Sequence, residues 1–133
     1  ASGRVPPVYD QTSGQVEGDP IYYDEYAGTV DGACEAEAAA AALGDEKWAI
    51  LKNHGVFVVG KDIRQAHLRA ITLEHRCRLA WHVEAIGNGH PIIDPETLRV
   101  AQMSDDLGFP FLWEAMARRE IRLDARVLGE NAD

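Results

Sequence analysis

Two apolar runs of strand length, "KWAILKN" and "VFVVG", stand on either side of Asn53-His54-Gly55. Gly55 can supply the positive φ that a tight turn requires, so the pattern predicts a β-hairpin. Upstream, "IYYDEYA" (Ile21 to Ala27) is rich in β-favouring residues and closed by Gly28, which predicts a short strand. The intervening "DGACEAEAAAAALG" reads as a helix, because alanine has the highest helix propensity. Asp31 can cap its start and Gly44 can take the left-handed position at its end. A helix so rich in alanine is expected to pack close to its neighbour.

Beyond the hairpin the period changes from two to that of a helix. Asp62 and Gln65 have capping-box spacing and Gly87 is a stop signal, so Ile63 to Ile86 are predicted to form one long helix. At about 100° per residue, Ile63, Ala66, Ala70, Leu73, Cys77, Ala80 and Trp81 form one stripe. Leu68, Leu79, Val83 and Ile86 form a second, nearly opposite. Two apolar faces need two partners: the sheet, and either a further helix or a second subunit. After the loop "NGHPIID", Asp94-Pro95 supplies an N-cap and a first-turn proline, which predicts a helix from Pro95 to about Leu107. Phe109-Pro110 opens a last amphipathic helix, "FPFLWEAMARREIRL", and "DARVLGENAD" reads as a fraying tail. The stretch from Ala1 to Asp19 contains Pro6-Pro7 and glycines at 3, 14 and 18, and is expected to run irregularly across other elements.

Composition narrows the function classes. A chain of 133 residues, 46% apolar and 26% charged, fits one globular domain. With 13 Lys+Arg and 22 Asp+Glu the net charge is 13 − 22 = −9, a potential that repels nucleic-acid phosphates and anionic lipid. Nucleic acid and membrane are therefore excluded as partners, and an anionic small substrate would need a metal or an arginine cluster to meet it. Cys34 and Cys77 are too few for a disulfide framework, which points to a reducing compartment, the cytoplasm. No apolar run approaches the ~18 residues of a membrane span, and the start "ASGRVPPVYD" lacks signal-peptide features.

His54 is the sharpest candidate for chemistry. Asn-His-Gly can be a turn and nothing more. It can equally present a neutral imidazole on a rigid sheet, which is what a divalent metal requires of a ligand. A catalytic zinc takes three protein ligands, and no other His, Cys or carboxylate stands at ligand spacing from His54. His67, His75 and His82 lie on the long helix and read as solvated side chains. Glu74 is spaced for an ion pair with Arg78 one turn on, and alternatively could orient a ligand near the hairpin without touching the metal. Tyr9, Asp10 and Thr12 follow two stiffening prolines, an arrangement open both to turn chemistry and to substrate contact. Cys34 and Cys77 are expected to act as small apolar side chains. No phosphate loop, Ser/His/Asp order or nucleophile elbow occurs.

Taken as a set, "AILKNHGVFVVGKDIRQAHLRAITLEHRCRLA" resembles the class II aldolase/adducin head-domain family. The elements of the resemblance are Asn53-His54-Gly55, the strand ending at Gly60, Gln65-Ala66 and Leu73-Glu74. "GRVPPVYDQTSG" and "IYYDEYAG" resemble the segments ahead of that hairpin, so the likeness extends over residues 1 to about 90.

The resemblance implies an α/β fold, α/β/α layered with a largely antiparallel sheet, and a zinc-dependent carbon–carbon lyase acting on a small hydroxy-carbonyl substrate. It implies His54 as the third ligand to a divalent metal, substrate contacts at Tyr9 and Asp10, and Glu74 behind the ligands. The family's first two ligands form an H-x-H pair, and a Glu earlier still is its acid/base. Neither is present here, so residues 1–133 resemble the C-terminal portion of a single domain whose preceding segment would be a necessary partner. Homo-oligomers, tetramers in the active members, are also implied, with Trp81 and Trp113 as candidate buried contacts. Relatives without aldol chemistry exist, so a non-catalytic, adducin-like assembly module is the competing expectation.

Overall fold

The computed structural model describes residues 4–16, 21–23, 32–107 and 110–129. Strand β1 (Ile21–Tyr23) and strand β2 (Trp48–Leu51) are joined through helix α1 (Ala33–Leu43) and lie parallel, as a helical crossover allows. Strand β3 (Gly55–Val58) returns antiparallel to β2, giving the order β1-β2-β3. The sheet is thus mixed: the hairpin meets the antiparallel expectation, whereas the β1–β2 pair does not. The predicted continuation of β1 through Asp24 to Ala27 and the Asp31 cap lie outside the described residues.

Helix α1 ends as its sequence predicts. Gly44 adopts φ 56° and its N–H donates to the Ala40 carbonyl at 3.1 Å. The expected close packing of α1 is not found, since Leu43 is its one buried residue.

Helix α2 (Ile63–Ile86) has the predicted bounds. Asp62 Oδ1 accepts from the Gln65 N–H at 2.8 Å, and Gln65 Oε1 accepts from the Lys61 N–H at 2.9 Å, so cap and third helical residue satisfy each other's ends. Gly60 is needed just before, because a Cβ there would stand 2.5 Å from the Ala66 nitrogen. The chain has to graze the first turn of α2 at that point.

The two apolar stripes predicted for α2 coincide only in part with its buried face. The buried residues are Gln65, Leu68, Arg69, Thr72, Leu73, Arg76 and Ala80, an arc of about 140° that takes Leu68 from one stripe and Leu73 and Ala80 from the other, with the polar residues between them. Ile63 (70% exposed), Trp81 (67%) and Ile86 (85%) face outward. Two arginines can lie in this face because each reaches a backbone carbonyl. Arg69 Nη1 donates to the Val59 carbonyl at 2.5 Å, and Arg76 Nε donates to the Pro6 carbonyl at 2.7 Å. The Arg76 guanidinium also stands 5.7 Å from the centre of the Trp48 ring, within cation–π range.

Successive side chains alternate across the sheet, so Trp48, Ile50, Val56 and Val58 share one face. That face meets α2: Val16, Trp48 and Leu73 form the centre of the core, with Val58 and Cys77 packed on it. Trp48 is fully buried, which removes enough apolar surface to contribute roughly 4 to 6 kcal/mol. Helices α3 (Pro95–Leu107) and α4 (Pro110–Leu123) follow as predicted, with Asp94 Oδ2 accepting from the Thr97 N–H at 2.8 Å to cap α3. The expected fraying tail is partly ordered, because Asp124 caps a 3-10 helix at Ala125–Leu128 through the Arg126 N–H. Glu130 to Asp133 lie outside the described residues. No helix among the described residues is long and apolar enough to cross a membrane.

Candidate functional site

The hairpin turn is built differently from its sequence expectation. Gly55 pairs with Leu51 in the ladder, and its φ is not positive; Asn53 carries the left-handed conformation instead, at φ 53°. Asparagine tolerates this region because its short amide can bond locally to the backbone. The His54 N–H donates to the Leu51 carbonyl at 3.2 Å, closing the turn. His54 is thereby held at the tip of the hairpin and is exposed.

The segment from Arg4 to Val16 runs across α2, as its prolines and glycines led us to expect. Arg76 anchors it at Pro6, and the Ile92 N–H donates to the Val8 carbonyl at 2.7 Å. Tyr9 is half-buried, and its hydroxyl donates to Glu84 Oε1 at 3.4 Å. Glu84 also pairs with Arg4. A 3-10 turn at Thr12–Gly14 tucks Ser13 out of solvent between α2 and α3.

Asp10 connects this segment to the middle of α2. Its Oδ1 accepts from the Ser13 N–H at 2.8 Å and from the Ser13 hydroxyl, while Oδ2 lies 3.0 Å from His75 Nε2. Burial acts to raise the Asp10 pKa, but the Ser13 hydroxyl, His75 and the Ser13 N–H together outweigh it and hold the carboxyl below its ordinary value. His75, expected to be merely solvated, is thus a partner of Asp10. The signal lay in folding rather than spacing, since the two residues are 65 positions apart.

Glu74 is exposed and its Oε1 accepts from Arg78 Nε at 2.5 Å, the ion pair that the spacing predicts. His67 is half-buried rather than solvated: its ring meets that of Trp113 edge-on at 5.3 Å, and its Nε2 is buried without a hydrogen-bond partner. Cys34 is exposed, contrary to its expected apolar role, whereas Cys77 packs on the core. Tyr9 and Asp10 therefore lie on the segment against α2, Glu74 adjoins the residue that Asp10 contacts, and His54 stands on a separate element.

As a metal donor, an imidazole fixed on a hairpin is of a suitable chemical type. The donor number is not met by the described residues, among which no group of three His, Cys, Asp or Glu side chains could hold an ion. A metal on His54 would require ligands beyond them.

The sequence pattern of the class II aldolase and adducin N-terminal domain matches residues 1–81. That is more than half of the 133 residues, and the chain belongs to this family. Tyr9, Asp10, His54 and Glu74 all fall within the matched region. Among solved structures the chain is similar to L-fuculose 1-phosphate aldolase from Glaciozyma antarctica PI12, with a TM-score of 0.60 and 25% identity over 89% of this chain and 47% of that one. It spans about half the length of that relative. No curated protein sequence matches it.

Proposed function

We propose that residues 1–133 are the C-terminal portion of a single class II aldolase-type domain with a layered α/β/α arrangement. In this reading the domain cleaves a carbon–carbon bond in a small, phosphorylated or unphosphorylated hydroxy-carbonyl substrate. The observation that carries the reading is His54, within the family match, fixed at the exposed tip of a short hairpin. His54 would be one of three protein ligands to a divalent metal, zinc in our reading, and the other ligands would come from outside these residues. Such an ion supplies Lewis-acid polarisation of the substrate oxygens when bound.

Asp10, held ionised by Ser13 and His75, suits a role as acceptor for a substrate hydroxyl, with Tyr9 beside it. Glu74 would act behind the metal ligands, orienting one of them without touching the ion. Cytoplasmic location and a homo-oligomeric, tetrameric assembly belong to the same proposal, the outward-facing Trp81 being available for a subunit contact.

The test uses the native gene product with whatever residues flank this chain. Chelation should abolish cleavage of phosphorylated hydroxy-ketones or hydroxy-aldehydes, zinc should restore it, and His54→Ala should lose both activity and restoration. A His54→Ala protein with unchanged cleavage would refute the proposal; a metal-free product without cleavage would favour the adducin-like assembly role.

A further inference from the structure

The segment from Arg4 to Val16 meets α2 through Arg4 and Tyr9 at Glu84, Pro6 at Arg76 and Asp10 at His75. The last of these contacts depends on an imidazole, the side chain whose charge changes between about pH 5 and pH 8. The two oxygens of Asp10 are engaged differently. Oδ1 accepts from the Ser13 N–H at 2.8 Å and from the Ser13 hydroxyl, which ties the carboxylate to its own segment. Oδ2 is left to His75 Nε2 at 3.0 Å, and that contact joins Asp10 to the helix. His75 is 45% exposed and Asp10 37%, so protons from solvent reach the pair directly.

The neighbouring charges have partners of their own. On α2, Glu74 pairs with Arg78, and Arg76 is turned onto the Pro6 carbonyl and the Trp48 ring. Helix α3 meets the segment at Thr12–Gly14, and its Glu96 pairs with Arg99. Arg4 and Tyr9 share Glu84, and His90 stands in the loop that reaches the Val8 carbonyl through Ile92. Among the described residues, Asp10 is thus the carboxylate that the His75 ring contacts.

From this arrangement we propose that Asp10 and His75 form a protonation-dependent latch that sets how tightly the segment from Arg4 to Val16 lies on α2. With His75 protonated, the contact is an ion pair reinforced by a hydrogen bond. As pH rises through the imidazole range the positive charge is lost. The neutral ring still donates through Nε2, so the hydrogen bond remains while the Coulombic attraction disappears. Asp10 stays ionised throughout, because the contacts with Ser13 and His75 hold its carboxyl below the ordinary value. The latch is therefore tight on the acid side of neutrality and looser on the alkaline side. An exposed pair of this kind changes the opening of the segment by roughly two- to fivefold. Because the segment carries Tyr9 and Asp10, its looseness reaches both. The latch depends on neither a metal nor a reaction, so its test is read without either.

The test uses the native gene product with its flanking residues. Amide hydrogen exchange, followed by NMR, reports opening of the segment at Ser13, whose N–H is bound by Asp10, and at Ile92, whose N–H is bound by Val8. The Val59 amide, bonded to Lys47 in the hairpin, is the control. After correction for the intrinsic pH dependence of exchange, protection at Ser13 and Ile92 should fall roughly two- to fivefold from about pH 5 to about pH 8, while Val59 holds. His75→Gln keeps a side-chain donor that never carries charge, and should remove this pH dependence with the far-UV circular dichroism unchanged. Asp10→Asn should remove it as well, and His90→Gln should leave it in place. Protection that is flat with pH in the wild type, that falls equally at Val59, or that keeps its pH dependence in His75→Gln overturns the inference. Loss of the pH dependence in His90→Gln would also overturn it, by moving the switch to the other imidazole.

Discussion

Arg76→Met keeps most of the side-chain volume but removes the donor to the Pro6 carbonyl and the charge over Trp48. A hydrogen bond from a charged donor contributes about 1.5 to 3 kcal/mol, and a desolvated cation–π contact up to about 2 kcal/mol. Because Arg76 is 3% exposed, its removal also relieves the cost of burying a guanidinium, which offsets part of that loss. The net destabilisation is expected at about 2 to 3 kcal/mol. With the denaturant slope usual for a small domain, the urea midpoint should fall by about 1 to 2 M. The loss should be local as well as global: the Ile92 amide, bonded to the Val8 carbonyl, should exchange faster because the segment from Arg4 to Val16 loses its anchor. Arg76→Lys, with the charge but not the planar donor, should fall between the two. A midpoint within about 0.3 M of wild type, with Ile92 still protected, would refute the assignment of Arg76 as the clasp between segment, helix and sheet.

Three further outcomes are expected. Gly60→Ala should cost about 1 to 3 kcal/mol in urea unfolding, because the new Cβ meets backbone 2.5 Å away at Ala66 and no flexible side chain can give way; a neutral effect would contradict the close approach. Since the Asp10 carboxyl is held below its ordinary value of 3.8, its ionised form stabilises the fold above about pH 4, and that contribution fades as pH falls through the lowered value. Asp10→Asn should flatten the acid limb of a stability-against-pH curve, modestly because the pair is half exposed, and an unchanged limb would count against the Ser13 and His75 contacts. Maleimide should label exposed Cys34 well before Cys77, whose thiol is pushed up by burial and then by Glu74; equal rates would contradict the packing of Cys77 on the core.

Local signals in the sequence were read correctly where one or two residues decide the outcome. Asp62 with Gln65, Gly87 and Asp94-Pro95 give α2 and α3 their ends, and Gly44 stops α1, since caps and stops act over a few positions. The buried face of α2 was legible only at Leu68, Leu73 and Ala80, because Arg69 and Arg76 are buried through carbonyls supplied by Val59 and Pro6, and hydrophobic spacing cannot register such partners. The parallel placement of β1 was hidden for a similar reason: pairing across a crossover depends on where α1 leads the chain. The turn was placed correctly but assigned to the wrong residue, as Asn53 takes the left-handed conformation that glycine more often takes. His54, Tyr9, Asp10 and Glu74 were each singled out by residue type and resemblance. The contact between Asp10 and His75 needed the fold.

The central claim is that His54 is a metal ligand in an aldolase-type domain. Its most direct test is the divalent-metal content of the native gene product, measured by inductively coupled plasma mass spectrometry for wild type and His54→Ala. The account predicts about one ion per chain in the wild type and a loss of most of it in a variant that remains folded. Equal metal content in the two proteins, or none in the wild type after supplementation with zinc, would contradict it.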